Sequence, residues 1–292
     1  MRSGKKDRYK LYDHPWMAAF VVVLSLVVAF IISIVIFSVL RFPSQTYYRV
    51  PLQLTIPYLL LIFFIYPRLC GLPSGWRGLR SYLAEIRLST VKPLLLQVLI
   101  AVVCVGLWLL GFAVFSLILR LIEGLPFNAT FFRRVITFHG IFPPASQGWI
   151  MTIPSIFEEV IFRGVLLRIF IRKYSRRLSI VVTALAFALM HLFNMINAME
   201  FSFILSQVVM GIGLGIFYAN LVLDADSLLP AMLFHYLGNF FIYSFSAYLQ
   251  NSLSQPLGQI LIPLSSWVMV PLLVWVEKKL TKSIKKDSMQ PA

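Results

Sequence analysis

Carboxylates are scarce in this sequence: only 11 of its 292 residues are Asp or Glu, against 26 Lys and Arg. Charged residues make up 13% of the chain and hydrophobic residues 59%, whereas soluble domains average about 25% charged. Mean hydropathy is +0.84. This composition excludes an ordinary soluble domain and predicts a membrane protein with several spans. The first apolar run is too long for a signal-peptide core, so we expect it to be retained.

Several sequence patterns are also absent, and each absence excludes a class of site. The two cysteines, Cys70 and Cys104, do not have the spacing of metal ligands. There is no H-E-x-x-H and no G-x-S-x-G, the patterns of common zinc peptidases and serine hydrolases. The closest Asp pair, Asp224 and Asp226, falls in a predicted turn, which argues against an aspartyl protease with its two acids on opposed spans. No internal repeat or soluble domain is evident.

Long apolar runs are what the sequence does contain. A helix needs about 20 apolar residues to cross a hydrocarbon layer of roughly 30 Å. The sequence therefore predicts an all-α, polytopic transmembrane bundle of about eight spans. They cover residues 16–40, 51–69, 93–121, 149–171, 178–195, 202–222, 228–250 and 257–276.

Three parts of the chain follow from this pattern. Residues 1–144 form an N-terminal tail with three spans, residues 145–250 form a core that carries the polar motifs described below, and residues 251–292 form the last span and a basic tail.

The basic residues flank the apolar runs, in segments such as "MRSGKKDRYK", "RIFIRKYSRR" and "EKKLTKSIKK". Such clusters are typical of cytoplasmic loops and of contact with anionic lipid headgroups. They predict an integral, multi-pass membrane protein with both termini in the cytoplasm, and they argue against nucleic-acid binding despite the net charge of +15. The acidic turn "LDADS" (223–227) is the exception, since the topology places it on the basic side.

Five ionisable residues fall within three predicted spans. Glu158 and Glu159 are the two carboxylates of the chain in such a position, and Arg163, His191 and His235 accompany them. A charged group in a membrane is costly and persists mainly where it lines a cavity, pairs or acts. The sequence therefore predicts that these side chains meet in one cavity.

Helical spacing predicts different roles for the two carboxylates. Glu159 and Arg163 are four residues apart in the order that favours an ion pair. Glu158 points about 100° away and has no partner on its own helix. We expect Glu159 to neutralise Arg163 and Glu158 to remain free to face a reacting group.

The histidines extend this set. His191 lies four residues after Phe187, and Asn239 lies four residues after His235. Glu158 could take a proton from water and pass one to a leaving amine. His191 could hold that water, while His235 and Asn239 could donate hydrogen bonds to the developing oxyanion. These are the parts of an amide hydrolase.

Other interpretations of the same residues stay open. Buried polar side chains could simply bridge spans, which is common in membrane proteins. The cavity could also bind a peptide or partner without hydrolysis, in an immunity or scaffold protein. A proton-coupled transporter is a third alternative, although the matching broken helices of many transporters are not evident.

Three motifs in order resemble one family. "EEVIFR", "FALMH" and "HYLGN" match E-E-x-x-x-R, F-x-x-x-H and H-x-x-x-N over about residues 145–250. The chain thereby resembles the CPBP family of intramembrane metalloproteases, which includes CAAX prenyl endopeptidases and bacteriocin-processing or self-immunity (Abi) proteins. The stretch "GIGLG" also resembles the family's glycine-rich helix, with Gly211 and Gly215 spaced for close helix packing.

The resemblance implies an intramembrane endopeptidase. Its substrate would be a peptide or protein, lipid-modified or embedded in the membrane. The implied catalytic residues are Glu158, His191, His235 and Asn239, supported by Glu159 and Arg163. Glu158, His191 and His235 could hold a catalytic Zn²⁺ or, equally, a water without metal.

Overall fold

The computed structural model describes residues 11–41, 49–69, 76–90, 93–124, 152–197, 201–251 and 257–287. Within these ranges the long regular elements are all helices and no strand occurs, which confirms the predicted all-α class. The predicted loop around Arg133 and Arg134, the first residues of the predicted fourth span (149–151) and the outermost residues of both basic tails lie outside the described residues.

Nine helices run through the described ranges. They are α1 (Pro15–Val39), α2 (Arg49–Leu60, continuing through a π-helical segment, Leu61–Ile65, and Tyr66–Leu69), α3 (Trp76–Glu85), α4 (Leu94–Ile122), α5 (Ile153–Glu159, continuing through a π-helical segment, Val160–Leu166, and Leu167–Ile171), α6 (Arg176–Leu189, followed by a 3-10 segment, Met190–Asn197), α7 (Phe201–Ala225), α8 (Leu229–Asn251) and α9 (Leu257–Asp287). Eight of them coincide with the eight predicted spans. The exception, α3, lies where the sequence predicted only a connecting segment.

Local sequence signals explain several of the helix ends. Pro15 and Pro154 lie in the first turns of α1 and α5, where a missing N–H costs nothing. The Ser175 side chain caps α6 by accepting a hydrogen bond from the Leu178 amide at 3.3 Å. Gly124 follows α4 with a φ of +65°, a conformation that glycine adopts without strain.

Five helical segments in the described ranges are long and apolar enough to cross a membrane. They are Pro15–Val39, Leu52–Leu69, Leu94–Ile122, Arg176–Phe193 and Phe201–Ala225. Their outer faces are apolar: Phe20 and Val35 of α1 and Leu95 and Leu110 of α4 are exposed. Such surfaces suit lipid rather than water, so the chain is an integral membrane protein. That α5, α8 and α9 also cross remains a prediction.

Helix α5 occupies the middle of the bundle. It packs against α1, α2, α6 and α8, while α7 lies between α6 and α9. Ile161, Leu166 and Ile169 of α5 are completely buried in a single hydrophobic cluster that reaches from α1 to α9. A polar residue on α5 therefore faces other helices rather than lipid.

The acidic turn between α7 and α8 is neutralised by arginines from three other segments. Asp226 lies 3.0 Å from Arg87 and 3.2 Å from Arg168, and Asp224 lies 2.8 Å from Arg176. We call these five residues the rim cluster. The contacts bring the 76–90 segment, the 172–177 loop and the acidic turn to one end of the bundle, which explains the exception in the charge pattern. Which side of the membrane that end faces stays a prediction.

Candidate active site

Helix α5 loses its regular α-helical pattern immediately after its two adjacent glutamates. Glu158 and Glu159 are the last residues of the α-helical segment Ile153–Glu159, and the π-helical segment Val160–Leu166 follows. π-helical turns are rare and occur frequently at functional sites. Arg163 lies within this segment and still reaches back to Glu159, with its Nη1 2.9 Å from Oε1. The ion pair expected from the sequence spacing is therefore present, and both side chains are completely buried.

Arg163 is enclosed by groups from two further helices. Its Nη2 donates a hydrogen bond to the Gly215 carbonyl of α7 at 3.3 Å. Its guanidinium carbon lies 4.3 Å from the centre of the Phe187 ring and 5.1 Å from that of Tyr218. Cation–π contacts of this kind strengthen when the cation is desolvated. One carboxylate, one carbonyl and two aromatic faces thus compensate a cation that has no access to solvent.

The glycines of α7 allow this approach. A Cβ at Gly215 would lie 3.0 Å from the Cα of Ala184, and one at Gly211 would lie 3.3 Å from the Cα of Ala188. The spacing of Gly211 and Gly215 faces an equal spacing of alanines on α6, so the predicted close packing of helices is observed. This closeness brings the Gly215 carbonyl within reach of Arg163.

His235 of α8 connects the two glutamates. Its Nδ1 lies 2.8 Å from the Glu159 Oε1, and its Nε2 lies 3.9 Å from the Glu158 Oε2. A carboxylate only accepts hydrogen bonds, so Nδ1 carries a proton that it donates to Glu159, while Nε2 faces Glu158. Tyr218 stacks on the imidazole at 5.0 Å between ring centres. Glu159 therefore fixes both the orientation and the tautomer of His235.

Phe187 of α6, in the F-x-x-x-H motif, contacts residues of the E-E-x-x-x-R and H-x-x-x-N motifs. Its ring centre lies 5.2 Å from that of His191, 5.6 Å from that of His235 and 5.4 Å from that of Phe162. The four-residue spacing of Phe187 and His191 thus corresponds to a ring contact. His191 is half-buried at the start of the 3-10 segment. Both imidazoles therefore contact one aromatic ring.

The side chains of Glu158 and Glu159 differ in exposure. Glu159 is fully buried, whereas the Glu158 side chain is 18% exposed. Glu158 is thus the carboxylate that retains an opening while lying 3.9 Å from His235. Asn239 is half-buried one turn after His235 on α8. The structure brings Glu158, Glu159, Arg163 and His235 into one cluster, which we call the inner cluster.

Two tyrosines that the sequence reasoning did not identify belong to this region. Tyr218 of α7 contacts both Arg163 and His235. Tyr58 of α2 interacts with Glu158 through its hydroxyl. A tyrosine following a proline within a span, as Tyr58 follows Pro57, was the available signal. An intramembrane proline commonly marks an irregular helix beside other protein groups.

A metal ion needs at least three donors around one point for a catalytic zinc site. In the described part of the chain, no three His, Cys, Asp or Glu side chains are arranged in that way. Nδ1 of His235 is moreover engaged by Glu159. As arranged here, Glu158, His191 and His235 do not form a ligand set. Zinc ligation by these residues therefore stays a prediction, and the mechanism below does not depend on it.

Comparison with known proteins adds a family assignment. Residues 140–241 match the family model described as type II CAAX prenyl endopeptidase Rce1-like. No curated protein and no solved structure matches the chain. The matched segment contains the three motifs and every residue of the inner cluster. In agreement with the resemblance carried by those motifs, residues 140–241 of this chain are therefore similar to the Rce1-like family of CAAX prenyl endopeptidases.

Proposed function

We propose that this protein is an intramembrane endopeptidase that hydrolyses a peptide bond with a water activated by Glu158. The observation that carries the proposal is the difference in pairing and exposure between the two adjacent carboxylates. Glu159 is paired with Arg163, whereas Glu158 lies 3.9 Å from the Nε2 of His235 and keeps an opening. The Rce1-like match supports a protease at the level of the family.

The proposed reaction begins with a proton transfer to Glu158. The Glu158 carboxylate accepts a proton from water, and the water oxygen forms a bond to the carbonyl carbon of the substrate. When the tetrahedral intermediate collapses, the carbon–nitrogen bond breaks and the leaving amine takes the proton back from Glu158. One residue thus acts first as base and then as acid. His191 holds the attacking water in this scheme.

The oxyanion is stabilised by side chains of α8. Asn239 donates through its amide group in any protonation state of the site. His235 donates through Nε2 only as an imidazolium that has taken its second proton from solvent before the reaction, because its Nδ1 proton is engaged by Glu159. The Glu159 carboxylate stabilises the resulting imidazolium, as a buried acid does behind the histidine of a catalytic triad. Glu159 is therefore a positioning residue for His235.

The proposed substrate is a peptide with a prenylated cysteine near its C-terminus. The description of the matched family names this substrate class. The apolar outer faces of α1 and α4 leave the protein in contact with lipid, through which a prenyl chain could approach the site. A bacteriocin-type peptide without a lipid is the alternative substrate. The same experiment separates the two.

The test uses purified protein in detergent or lipid nanodiscs and two synthetic peptides that end in a CAAX sequence, one farnesylated on its cysteine and one unmodified. Mass spectrometry identifies the bond that is cut. We expect the wild type to release the C-terminal tripeptide from the farnesylated peptide. Glu158→Gln should slow this reaction by about 10²- to 10⁴-fold, the usual contribution of a general acid–base group.

Four further results distinguish the alternatives. Equal rates for both peptides would assign the site to unmodified peptides. Binding without cleavage would favour the immunity or scaffold function. A chelator arm addresses the metal: loss of cleavage on dialysis against a zinc chelator, restored by added Zn²⁺, would assign a metal to the site. Cleavage by Glu158→Gln at the wild-type rate would contradict the proposed mechanism.

A further inference from the structure

Helix α7 contributes no residue to the three motifs, yet its Tyr218 contacts two members of the inner cluster. The Tyr218 ring stacks on the His235 imidazole, with ring centres 5.0 Å apart and an angle of 26° between the planes. The guanidinium carbon of Arg163 lies 5.1 Å from the centre of the same tyrosine ring. Tyr218 is only 2% exposed, so both contacts are shielded from solvent. One aromatic ring of α7 therefore contacts the arginine of α5 and the histidine of α8.

These contacts complete a closed set of four side chains. A single oxygen, Oε1 of Glu159, lies 2.9 Å from the Nη1 of Arg163 and 2.8 Å from the Nδ1 of His235. Arg163 and His235 thus have two partners in common, this carboxylate oxygen and the Tyr218 ring. Loss of the tyrosine ring would therefore change the surroundings of both partners of Glu159 at once.

The hydrogen bond to Glu159 does not by itself fix the plane of the His235 imidazole. It sets the direction of the Nδ1–H group, but the imidazole can still turn about the axis of that bond. A packed aromatic neighbour resists this rotation, because aromatic rings prefer an offset stacked or an edge-to-face arrangement. Tyr218 supplies the stacked face, and Phe187 meets the imidazole at 86°. The plane they hold determines where Nε2 points, which is 3.9 Å from the Glu158 Oε2.

The position of Tyr218 is itself fixed by its surroundings. Its ring centre lies 5.5 Å from that of Phe234 on α8 and 5.9 Å from that of Phe217, the preceding residue. Both phenylalanines are completely buried. Gly215, three residues before Tyr218, lets α7 approach α6 closely. The Tyr218 ring is therefore a fixed surface against which the imidazole packs.

We infer that Tyr218 is a positioning residue that holds the imidazole plane of His235 so that Nε2 faces the reacting groups. This inference rests on the proposed function. The aromatic face performs the role, because the observed contacts with His235 and Arg163 are made by the tyrosine ring. Tyr218 exchanges no proton, so the balance of the reaction is unchanged. Phenylalanine can therefore replace Tyr218, whereas an aliphatic side chain cannot.

The neighbouring Phe217 offers a matched control. It is completely buried on the same helix, and its ring centre lies 4.9 Å from that of Phe234 and 5.9 Å from that of Tyr218. Within the described residues, its ring contacts include neither Arg163 nor His235. Phe217→Leu and Tyr218→Leu therefore each remove one buried aromatic ring, and only Tyr218→Leu removes the ring that stacks on the imidazole.

The experiment measures kcat and KM with the farnesylated peptide for wild type, Glu158→Gln, Tyr218→Leu, Tyr218→Phe and Phe217→Leu, together with thermal midpoints in detergent. We expect kcat of Tyr218→Leu to fall by about ten- to a hundredfold with KM nearly unchanged, because a small displacement of a reacting group is costly. Tyr218→Phe should restore most of the wild-type kcat. Phe217→Leu should lower the thermal midpoint about as much as Tyr218→Leu but keep a kcat close to that of the wild type.

The outcomes separate the inference from the proposed function. If Glu158→Gln is inactive and Tyr218→Leu has the wild-type kcat, the role of Tyr218 is refuted while the proposed function stands. Equal losses of kcat in Tyr218→Leu and Phe217→Leu would also refute it, since packing would then be the cause. An equal loss in Tyr218→Phe would refute it too, because the hydroxyl rather than the ring would be responsible.

A second aliphatic variant covers the case in which Tyr218→Leu yields no folded protein. Tyr218→Met then takes its place, because the flexible methionine side chain fills irregular space in a core. A wild-type kcat in Tyr218→Met would refute the positioning role in the same way. A wild type without cleavage overturns the proposed function and the role of Tyr218 together.

Discussion

Two groups of charged residues in this bundle differ in their ratio of carboxylates to guanidinium groups. The inner cluster contains two carboxylates and one guanidinium, whereas the rim cluster contains three guanidinium groups and two carboxylates. Arg163 and Glu159 are completely buried, while Arg87 and Asp226 are 40% and 47% exposed. Each rim carboxylate forms an ion pair with at least one arginine. In the inner cluster, Arg163 pairs with Glu159, and Glu158 has no arginine partner.

The comparison distinguishes ion pairs that join helices from the Glu158 carboxylate, which we propose takes part in the reaction. Exposed ion pairs are screened by water and contribute little energy. A buried pair is costly to form and more costly to break, because removal of one partner leaves the other uncompensated. The rim cluster can therefore tolerate change, whereas the inner cluster cannot. A carboxylate without an arginine or lysine partner is rare in such a place and is retained mainly where it lines a cavity or acts.

The largest effect is expected for Arg163→Met. The variant leaves Glu159 fully buried beside an apolar side chain and removes the hydrogen bond to the Gly215 carbonyl. Breaking a buried pair in this way costs about 3–5 kcal/mol. We expect a strongly lowered thermal midpoint in detergent and no cleavage of the farnesylated peptide. A midpoint within two or three degrees of wild type would show that the inner pair does not stabilise the fold.

Glu159→Gln should lower both stability and activity. The amide has nearly the same shape, but it leaves the fully buried Arg163 without a charged partner and no longer stabilises a positive charge on His235. It also no longer specifies the Nδ1–H tautomer. By analogy with the buried acid of a catalytic triad, we expect kcat of the folded protein to fall by about 10²- to 10⁴-fold, together with a lowered thermal midpoint. The check is steady-state kinetics beside circular dichroism. A wild-type kcat would refute the role of Glu159 in orienting His235.

A third prediction concerns Glu277, which lies just beyond the predicted end of the last span and is fully buried. Burial and the neighbouring Asp224 carboxylate raise the pKa of Glu277 to about 9. The folded protein thus holds this proton while the unfolded chain releases it near its ordinary pKa of about 4.3. Stability should therefore decline as pH rises from about 4.3 toward 9.

Glu277→Gln mimics the protonated acid and removes this dependence. At pH 8 the variant should be more stable than wild type by a few kcal/mol, because each pH unit above about 4.3 costs the wild type about 1.4 kcal/mol. The two should converge near pH 4. Thermal unfolding at several pH values measures the difference. Parallel curves for wild type and variant would show that the Glu277 carboxyl does not titrate as expected.

The smallest effect is expected for Arg176→Met in the rim cluster. The Arg176 side chain is 42% exposed and its partner Asp224 is 13% exposed. An exposed pair of this kind contributes about 0–1 kcal/mol. Compared with Arg163→Met in the same unfolding assay, the loss should be several times smaller and should shrink further in high salt. Equal losses for the two variants would abolish the distinction between the clusters.

The sequence alone predicted the helices and the contacts within each helix. The Glu159–Arg163 pair and the Phe187–His191 contact follow from a spacing of four residues. The approach of His235 to Glu158 depends on how α8 packs against α5, and sequence spacing does not determine it. A common cavity was predicted from the cost of isolated charges, not from any local pattern.

Other features of the site were not predictable for a related reason. Tyr58 interacts with Glu158 because α2 packs on α5. The π-helical segments of α2 and α5 have no simple sequence signature, since they arise from tertiary contacts. The short helix α3 is too brief and too polar to be distinguished from a loop by hydropathy. Long-range packing therefore accounts for what the sequence left open.

The most direct test compares the same chemical change in both regions of the molecule. Glu158→Gln and Glu277→Gln each replace a carboxyl by an amide, one in the inner cluster and one beside the rim cluster. The measurement is kcat/KM for the farnesylated peptide at pH 7 in a single preparation. The account predicts a loss of about 10²- to 10⁴-fold for Glu158→Gln and nearly unchanged cleavage for Glu277→Gln. Similar values for the two variants would contradict it.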